Sequence, residues 1–266
     1  MPCSATTASP PESAAIPPPA ARALPLLLLG AVLAAPADGE TLLPAEDRQA
    51  IEAALGGGIF DTTLPPSPIA DPAEFLPHGA AAGRFRILRG EGAGGLETHR
   101  AQVLGPEAWN YQLSRDETGF LRLLKDHSLV MAGIEDRHSN ALTRYEPAEP
   151  FLPAGLQAGG ETRLHMAVRV YDRTEPDDVR HRGSLHVSLR HLGDYRVRVP
   201  DGQFDAILLK ASFQGAIGPA SVTDTQYRFL AKGVGLVAMT EQREVSAFFV
   251  YRDRVDVAKV LAGLPP

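Results

Sequence analysis

From Arg84 onward, apolar residues return at every second position in one run after another, and no helical period interrupts them. Leu164, Met166, Val168 and Val170 fall on one face of such a run, with Arg163, His165, Arg169 and Tyr171 on the other. Leu185, Val187 and Leu189 alternate in the same way against Ser184, His186, Ser188 and Arg190. A period of two belongs to strands, whose successive side chains leave on opposite faces. Parallel pairing needs crossovers of a dozen or more residues, and these runs follow one another too closely for that. The chain is therefore expected to be mainly β, a curved antiparallel sheet. Each strand has one apolar face to bury. The sheet must close over something: a half-open barrel wrapped over a helix, or a closed β-barrel, with one or two short helices.

The stretch before Arg84 divides in two. Arg22, the apolar run Leu24 to Ala35 and the small residues of Ala35-Pro36-Ala37 form a secretory signal pattern, so residues 1–37 are expected to be a cleaved leader. The apolar run is too short for a membrane span, which takes about 20 residues. Cys3 precedes that run, whereas a lipidated cysteine would follow it directly. Residues 38–83 read as a helix plus a Pro-rich strap. Leu43, Ile51 and Leu55 make one narrow apolar helical face, Pro44 suits the first helical position and Gly56 the stop. Pro65, Pro66, Pro68, Pro72 and Pro77 then mark an extended strap rather than a packed element.

Residues 84–266 are expected to be one antiparallel β domain. The sharpest local signal is Val199-Pro200-Asp201-Gly202, a hairpin whose glycine tolerates positive φ. Tyr145 to Pro153, rich in proline, reads as a crossing between two groups of strands. Asp253 to Leu261 reads as a short C-terminal helix.

Composition narrows the function. The net charge is −6 and the basic residues are scattered, which excludes the basic stripe of a nucleic-acid binder. With Cys3 as the single cysteine, the mature chain has neither disulfide nor thiolate chemistry. Gly90 to Gly95 formally fits G-x-G-x-x-G but precedes a strand-like segment, so it reads as a hairpin loop and not a phosphate cradle. His181, His186 and His191 recur at odd spacing, which sends neighbours to opposite faces of a strand and away from a common metal. Asp177-Asp178-Val179-Arg180-His181 reads as a solvated turn. No catalytic, cofactor-binding or metal-ligating set stands out; a carboxylate pair drawn from the many Asp and Glu residues stays open. Arg163, Arg169, Arg190, Arg196, Arg198 and Arg228 are expected on solvated strand faces. Trp109, Tyr111, Tyr227, Phe229 and Phe249 are the cavity candidates, core residues that would line any void the sheet encloses.

Two segments carry a resemblance. Tyr145-Glu146-Pro147-Ala148-Glu149-Pro150-Phe151-Leu152-Pro153 is one, with Gly159-Gly160-Glu161 after it. The other is Gly193-Asp194-Tyr195 through Val199-Pro200-Asp201-Gly202-Gln203-Phe204-Asp205-Ala206, with Gly233-Val234-Gly235-Leu236-Val237 beyond. They resemble a group of uncharacterised exported bacterial proteins, itself similar to periplasmic lipoprotein carriers. That resemblance implies a curved sheet folded around helices with acyl chains held inside, and it carries no functional residue set. The expectation is a periplasmic, non-enzymatic binding, carrier or envelope-associated protein, whose partner is a lipid or an envelope protein. It would use no cofactor, bind no nucleic acid and, once mature, span no membrane. The alternative is an exported hydrolase of an envelope polymer.

Overall fold

In the computed structural model, which describes residues 42–77, 82–247 and 251–264, the alternating runs become strands of a single sheet. A helix, α1 (Ala45–Leu55), leads into β1 (Phe60–Thr63) and a 3-10 turn (Pro72–Phe75). Twelve strands follow in succession: β2 (Ala82–Arg89), β3 (Leu96–Gly105), β4 (Ala108–Gln112), β5 (Glu117–Leu123), β6 (Leu129–Asp136), β7 (Ala141–Leu152), β8 (Glu161–Asp172), β9 (Val179–Val199), β10 (Gly202–Ile217), β11 (Ala220–Ala231), β12 (Gly235–Ala247) and β13 (Tyr251–Gly263). Each pairs antiparallel with the next, and β13 returns to β2, which closes the circle. The molecule is a closed twelve-stranded antiparallel β-barrel. Among the described strands only β1 stands outside the cycle. It pairs with β9 at Phe60 and Val197, beyond the point where β8 has ended opposite Arg190.

Closure explains one departure from expectation. Asp253 to Leu261 is strand β13, not a helix: Val260 pairs with Ala238 on one side and Arg86 on the other. A strand here has two partners, and that pairing outweighs local helical preference. The Pro-rich crossing is likewise a strand, β7. It bulges where Arg144 faces Gly133 and Glu149 faces Met131, and a bulged proline gives up no ladder bond. The hairpin at Pro200-Asp201 forms as expected, with Gly202 opposite Val199 at φ 134°.

α1 packs on the sheet face opposite the lumen. Asp47 Oδ1 accepts from Lys210 Nζ at 2.7 Å and from Tyr227 Oη at 2.6 Å, while Ala53 O accepts from Arg89 Nη2 at 2.9 Å. Those partners stand on β10, β11 and β2, so the helix lies in a trough that crosses several strands. Ile51 and Leu55 are buried in it, each contributing roughly 1.5–3 kcal/mol. Phe60 closes the trough, edge-on to Tyr195 at 5.1 Å and Phe229 at 5.6 Å. The sheet is closed and carries its helix outside, unlike the half-open arrangement.

The strap is packed after all. Ile69, Phe75 and Leu76 between its prolines are buried. Its backbone is pinned by Leu64 N to Asp194 O, Ile69 N to Leu156 O and Gly233 N to Glu74 O. It therefore crosses one end of the barrel. The expected leader, residues 1–37, lies outside the described residues.

Candidate functional site

Register sorts side chains into lumen-facing and outward rows. Arg228, Met239 and Lys259 share one row across β11, β12 and β13; Tyr227, Thr240 and Ala258 share the alternate one. Contacts that leap strands show which row faces in. Arg228 on β11 reaches Glu149 on β7 at 3.1 Å, and Arg243 on β12 reaches Glu117 on β5 at 3.8 Å. Two ion pairs thus cross the lumen.

These groups form a belt. Glu117, Glu149, Asp224 and Glu241 confront Arg228 and Arg243, with Gln226 donating to Asp224 Oδ2 at 2.6 Å and accepting from Arg228 Nη2 at 2.6 Å. Burial raises the Glu149 carboxyl, partly offset by Arg228. Burial also pushes Asp224 up to about 6 and raises Glu241 and Glu117, helped by their negative neighbours. Burial alone would lower Arg243, but Glu241 and Glu117 more than reverse it. Asp224 Oδ1 and Arg228 Nη1 are buried without a partner in the structure. Unpaired charge at such depth is expensive, which is why these carboxyls titrate above the ordinary carboxylate range.

Toward the strapped end the lumen turns apolar. Phe85, Ala101, Tyr111, Val234, Leu236 and Leu261 line a partly open cavity of about 160 Å³ beneath Pro77. His99 borders it and stacks on Phe85, 4.4 Å between ring centroids. His99 contacts Glu97, and Lys259 Nζ donates to Glu97 Oε1 and to Leu113 O, each at 3.0 Å. Burial would raise Glu97, yet His99 and Lys259 hold it at about 2; burial keeps His99 low and neutral.

Other polar sets fail as chemistry. Ser67, Asp194 and His191 look like a hydrolytic triad, but Ser67 Oγ donates to Asp194 at 2.7 Å while His191 Nε2 meets the other carboxylate oxygen at 2.8 Å. The serine donates to the carboxylate and not to the imidazole, which is not the serine–histidine–aspartate order of a hydrolytic triad. Both contacts hold Asp194 low despite its burial. The set pins the strap to β9. Ser67→Ala should cost about 1 kcal/mol in thermal unfolding and speed proteolytic cleavage of the strap. His181, His186 and His191 stay apart on β9, with His186 ring-to-ring against His165 at 4.7 Å and His191 buried. Gly90 to Gly95 is the β2–β3 turn, with Gly94 N bonded to Ile87 O. Among the described residues no cluster of three His, Cys, Asp or Glu has metal-binding geometry.

The cavity candidates scatter. Tyr111 lines the void, its hydroxyl pushed up to about 12 by burial. Trp109, half-buried, pairs with Val103 one row nearer the rim than the Tyr111–Ala101 pair. Tyr227 and Phe229 face outward, toward α1 and Phe60, because they alternate with the inward Arg228. Phe249 lies outside the described residues. Arg228, expected on a solvated face, is buried in the lumen at 6% exposure. The belt is hidden in the sequence because β11 is covered on both faces, and alternation alone does not say which polar row meets water.

No protein-family model matches the chain, and no curated protein matches it. Two solved structures are similar to it at low identity. One is a provisionally assigned lipoprotein of Parabacteroides distasonis, at 11% identity and a TM-score of 0.36, covering 72% of this chain and 98% of that one. The other is a provisionally assigned exported protein of Bacteroides fragilis with a YmcC-like fold, at 9% and 0.33, covering 75% and 100%.

Proposed function

We propose that the chain is an exported, non-catalytic binding protein of the periplasm whose barrel grips a short apolar group, the end of a lipid acyl chain, under its strap. The apolar cavity of about 160 Å³ carries this reading. An engineered cavity of roughly 150 Å³ holds benzene, so about six carbons fit here. Pockets that enclose whole drug-sized ligands run to about 300–1,000 Å³. The belt of ion pairs also blocks any apolar path deeper into the lumen, which argues for holding a chain end over carrying a lipid whole. Val103, half exposed, and Trp109 form the next same-facing pair along β3 and β4 from the cavity-lining Ala101 and Tyr111. Export rests on the leader pattern of residues 1–37 and on a mature chain without cysteine.

Thermal unfolding in 1-hexanol tests the proposal. The wild type should gain stability saturably, by about 2.7 kcal/mol at a hundredfold excess over Kd. Leu236→Trp, which fills the cavity, should gain none. Equal shifts in both proteins, or none in either, would remove the apolar-grip reading.

A hydrolase has one observation in its favour: Asp224 at about 6 suits acid–base work near neutral pH. It is 7% exposed and bonded to Gln226, which leaves little access for a polymer. Peptidoglycan or glycan hydrolysis that vanishes in Asp224→Asn would establish that reading instead.

A further inference from the structure

One stretch of the barrel wall carries charges of a single sign on its outer face. Phe85, His99, Ala101 and Tyr111 turn into the apolar recess, so the residues that alternate with them turn outward. Register then places Arg84 and Arg86 outward on β2, Arg100 on β3 and, opposite Ala108, Arg122 on β5. All four are exposed. Among the described residues none of them makes an ion pair. No Asp or Glu shares the outward rows of β2 to β5. The acids of this stretch lie in the lumen, as Glu97 and Glu117, or in hairpin turns, as Glu91, Glu107, Asp116 and Asp126.

The rest of the outer surface is built differently. There exposed arginines face carboxylates: Arg163 with Glu161, Arg169 with Glu146, Arg196 with Asp205, and Arg252 and Arg254 with Glu244. Mixed signs of that kind keep a sheet soluble and give it no field of its own. The β2 to β5 wall is positive on a chain whose net charge is −6. Exposed apolar side chains gather on the same wall. Leu96 is 60% exposed and stands directly across from Arg86; Leu104 is 57% exposed, at the irregular end of β3. Leu88, Val103 and Leu124 are exposed with them, and Leu42 and Leu264 are the other large hydrophobics in that state among the described residues.

We infer that the outer wall of β2 to β5 docks on an anionic phospholipid bilayer. Its arginines meet lipid phosphates, and its exposed leucines enter the boundary between headgroups and acyl chains. Arginines alone would suit any polyanion. Leucines exposed among them gain nothing from a polysaccharide or a nucleic acid, and they gain from a hydrocarbon interface. Three interstrand steps spread the four guanidiniums over about 15 Å, wide enough to engage several headgroups at once. The apolar recess lies on the inner side of this wall, yet docking does not require it, so either can fail without the other.

Sedimentation of the full chain with sucrose-loaded vesicles tests the inference. One set is pure phosphatidylcholine; the other is an equimolar mixture of phosphatidylcholine and phosphatidylglycerol. Binding to the mixed vesicles should be saturable, about tenfold tighter than to phosphatidylcholine, and weakened by salt. Arg84→Gln with Arg100→Gln should bind the mixed vesicles about thirtyfold more weakly. Should that pair fail to fold, Arg122→Gln alone should lose about fivefold. Leu96→Ser with Leu104→Ser should lose about tenfold on vesicles while binding dextran sulfate as the wild type does. Every variant keeps residues 1–37, so that apolar segment contributes equally to each. Absence of binding, equal binding to both vesicle types, arginine variants that bind undiminished, or a leucine variant that still binds mixed vesicles like the wild type would overturn the inference.

Discussion

Arg228→Ala is expected to destabilise the barrel by about 3–5 kcal/mol, among the largest effects a single substitution should have here. Arg228 is 6% exposed and Glu149, its partner at 3.1 Å, is 3% exposed. Removing the guanidinium strips Glu149 of its counter-charge, leaves Gln226 Oε1 without its donor, and removes the cation over Phe151 at 5.0 Å. Breaking one side of a buried pair typically costs this much, because an uncompensated charge stays behind. Replacing both members with apolar side chains of similar size should recover most of the loss, since the pair was expensive to bury. Urea denaturation of Arg228→Ala and of Arg228→Met with Glu149→Leu separates the two effects. A single variant within 1 kcal/mol of wild type would mean that the belt does not cross the lumen as described.

The second large effect is on pH. Asp224 titrates at about 6 in the folded barrel, against 3.8 when unperturbed. Below both values the two states are equally protonated, and the contribution to stability is fully present. Between about 4 and 6 the unfolded chain releases the proton while the barrel keeps it, so stability falls as pH rises. Each pH unit of that window costs about 1.4 kcal/mol per group, so Asp224 alone accounts for about 3 kcal/mol. Glu149, Glu117 and Glu241 are raised as well and extend the decline. Glu97 and Asp194 are lowered, so their contribution is present above the ordinary carboxylate range and is lost as pH falls below it. Stability should therefore peak mildly acidic. The urea midpoint is expected to drop from pH 4.5 to 7.5, and Asp224→Asn should flatten that slope. A wild-type midpoint that rises or holds steady over this window would contradict the assignment.

Much of the architecture was legible because strands announce themselves. Alternation in Leu164 to Val170 and Leu185 to Leu189 is the sheet itself, and Pro200-Asp201-Gly202 turns where its glycine allows. What stayed hidden has a common physical cause. Period two separates two rows but does not say what covers each. On β11 the apolar row with Tyr227 and Phe229 meets α1 outside, and the polar row with Asp224 and Arg228 is sealed inside. The inference that apolar means inward therefore inverted this strand. β13 was obscured for a different reason: its helix-compatible composition is overruled by two flanking strands, a non-local fact. The packing of the strap is hidden because its prolines speak only about backbone donors, while Ile69, Phe75 and Leu76 decide what it buries.

The central claim is that the lumen offers a short apolar recess stopped by a wall of charge. A homologous series of 1-alkanols from butanol to hexadecanol, titrated against Trp109 fluorescence, measures the depth of that recess. Affinity should climb by about 0.8 kcal/mol per added methylene up to roughly six carbons and then level off. An affinity that keeps climbing through twelve or sixteen carbons would mean that an apolar path runs past Arg228 and Glu149, and the account would be wrong.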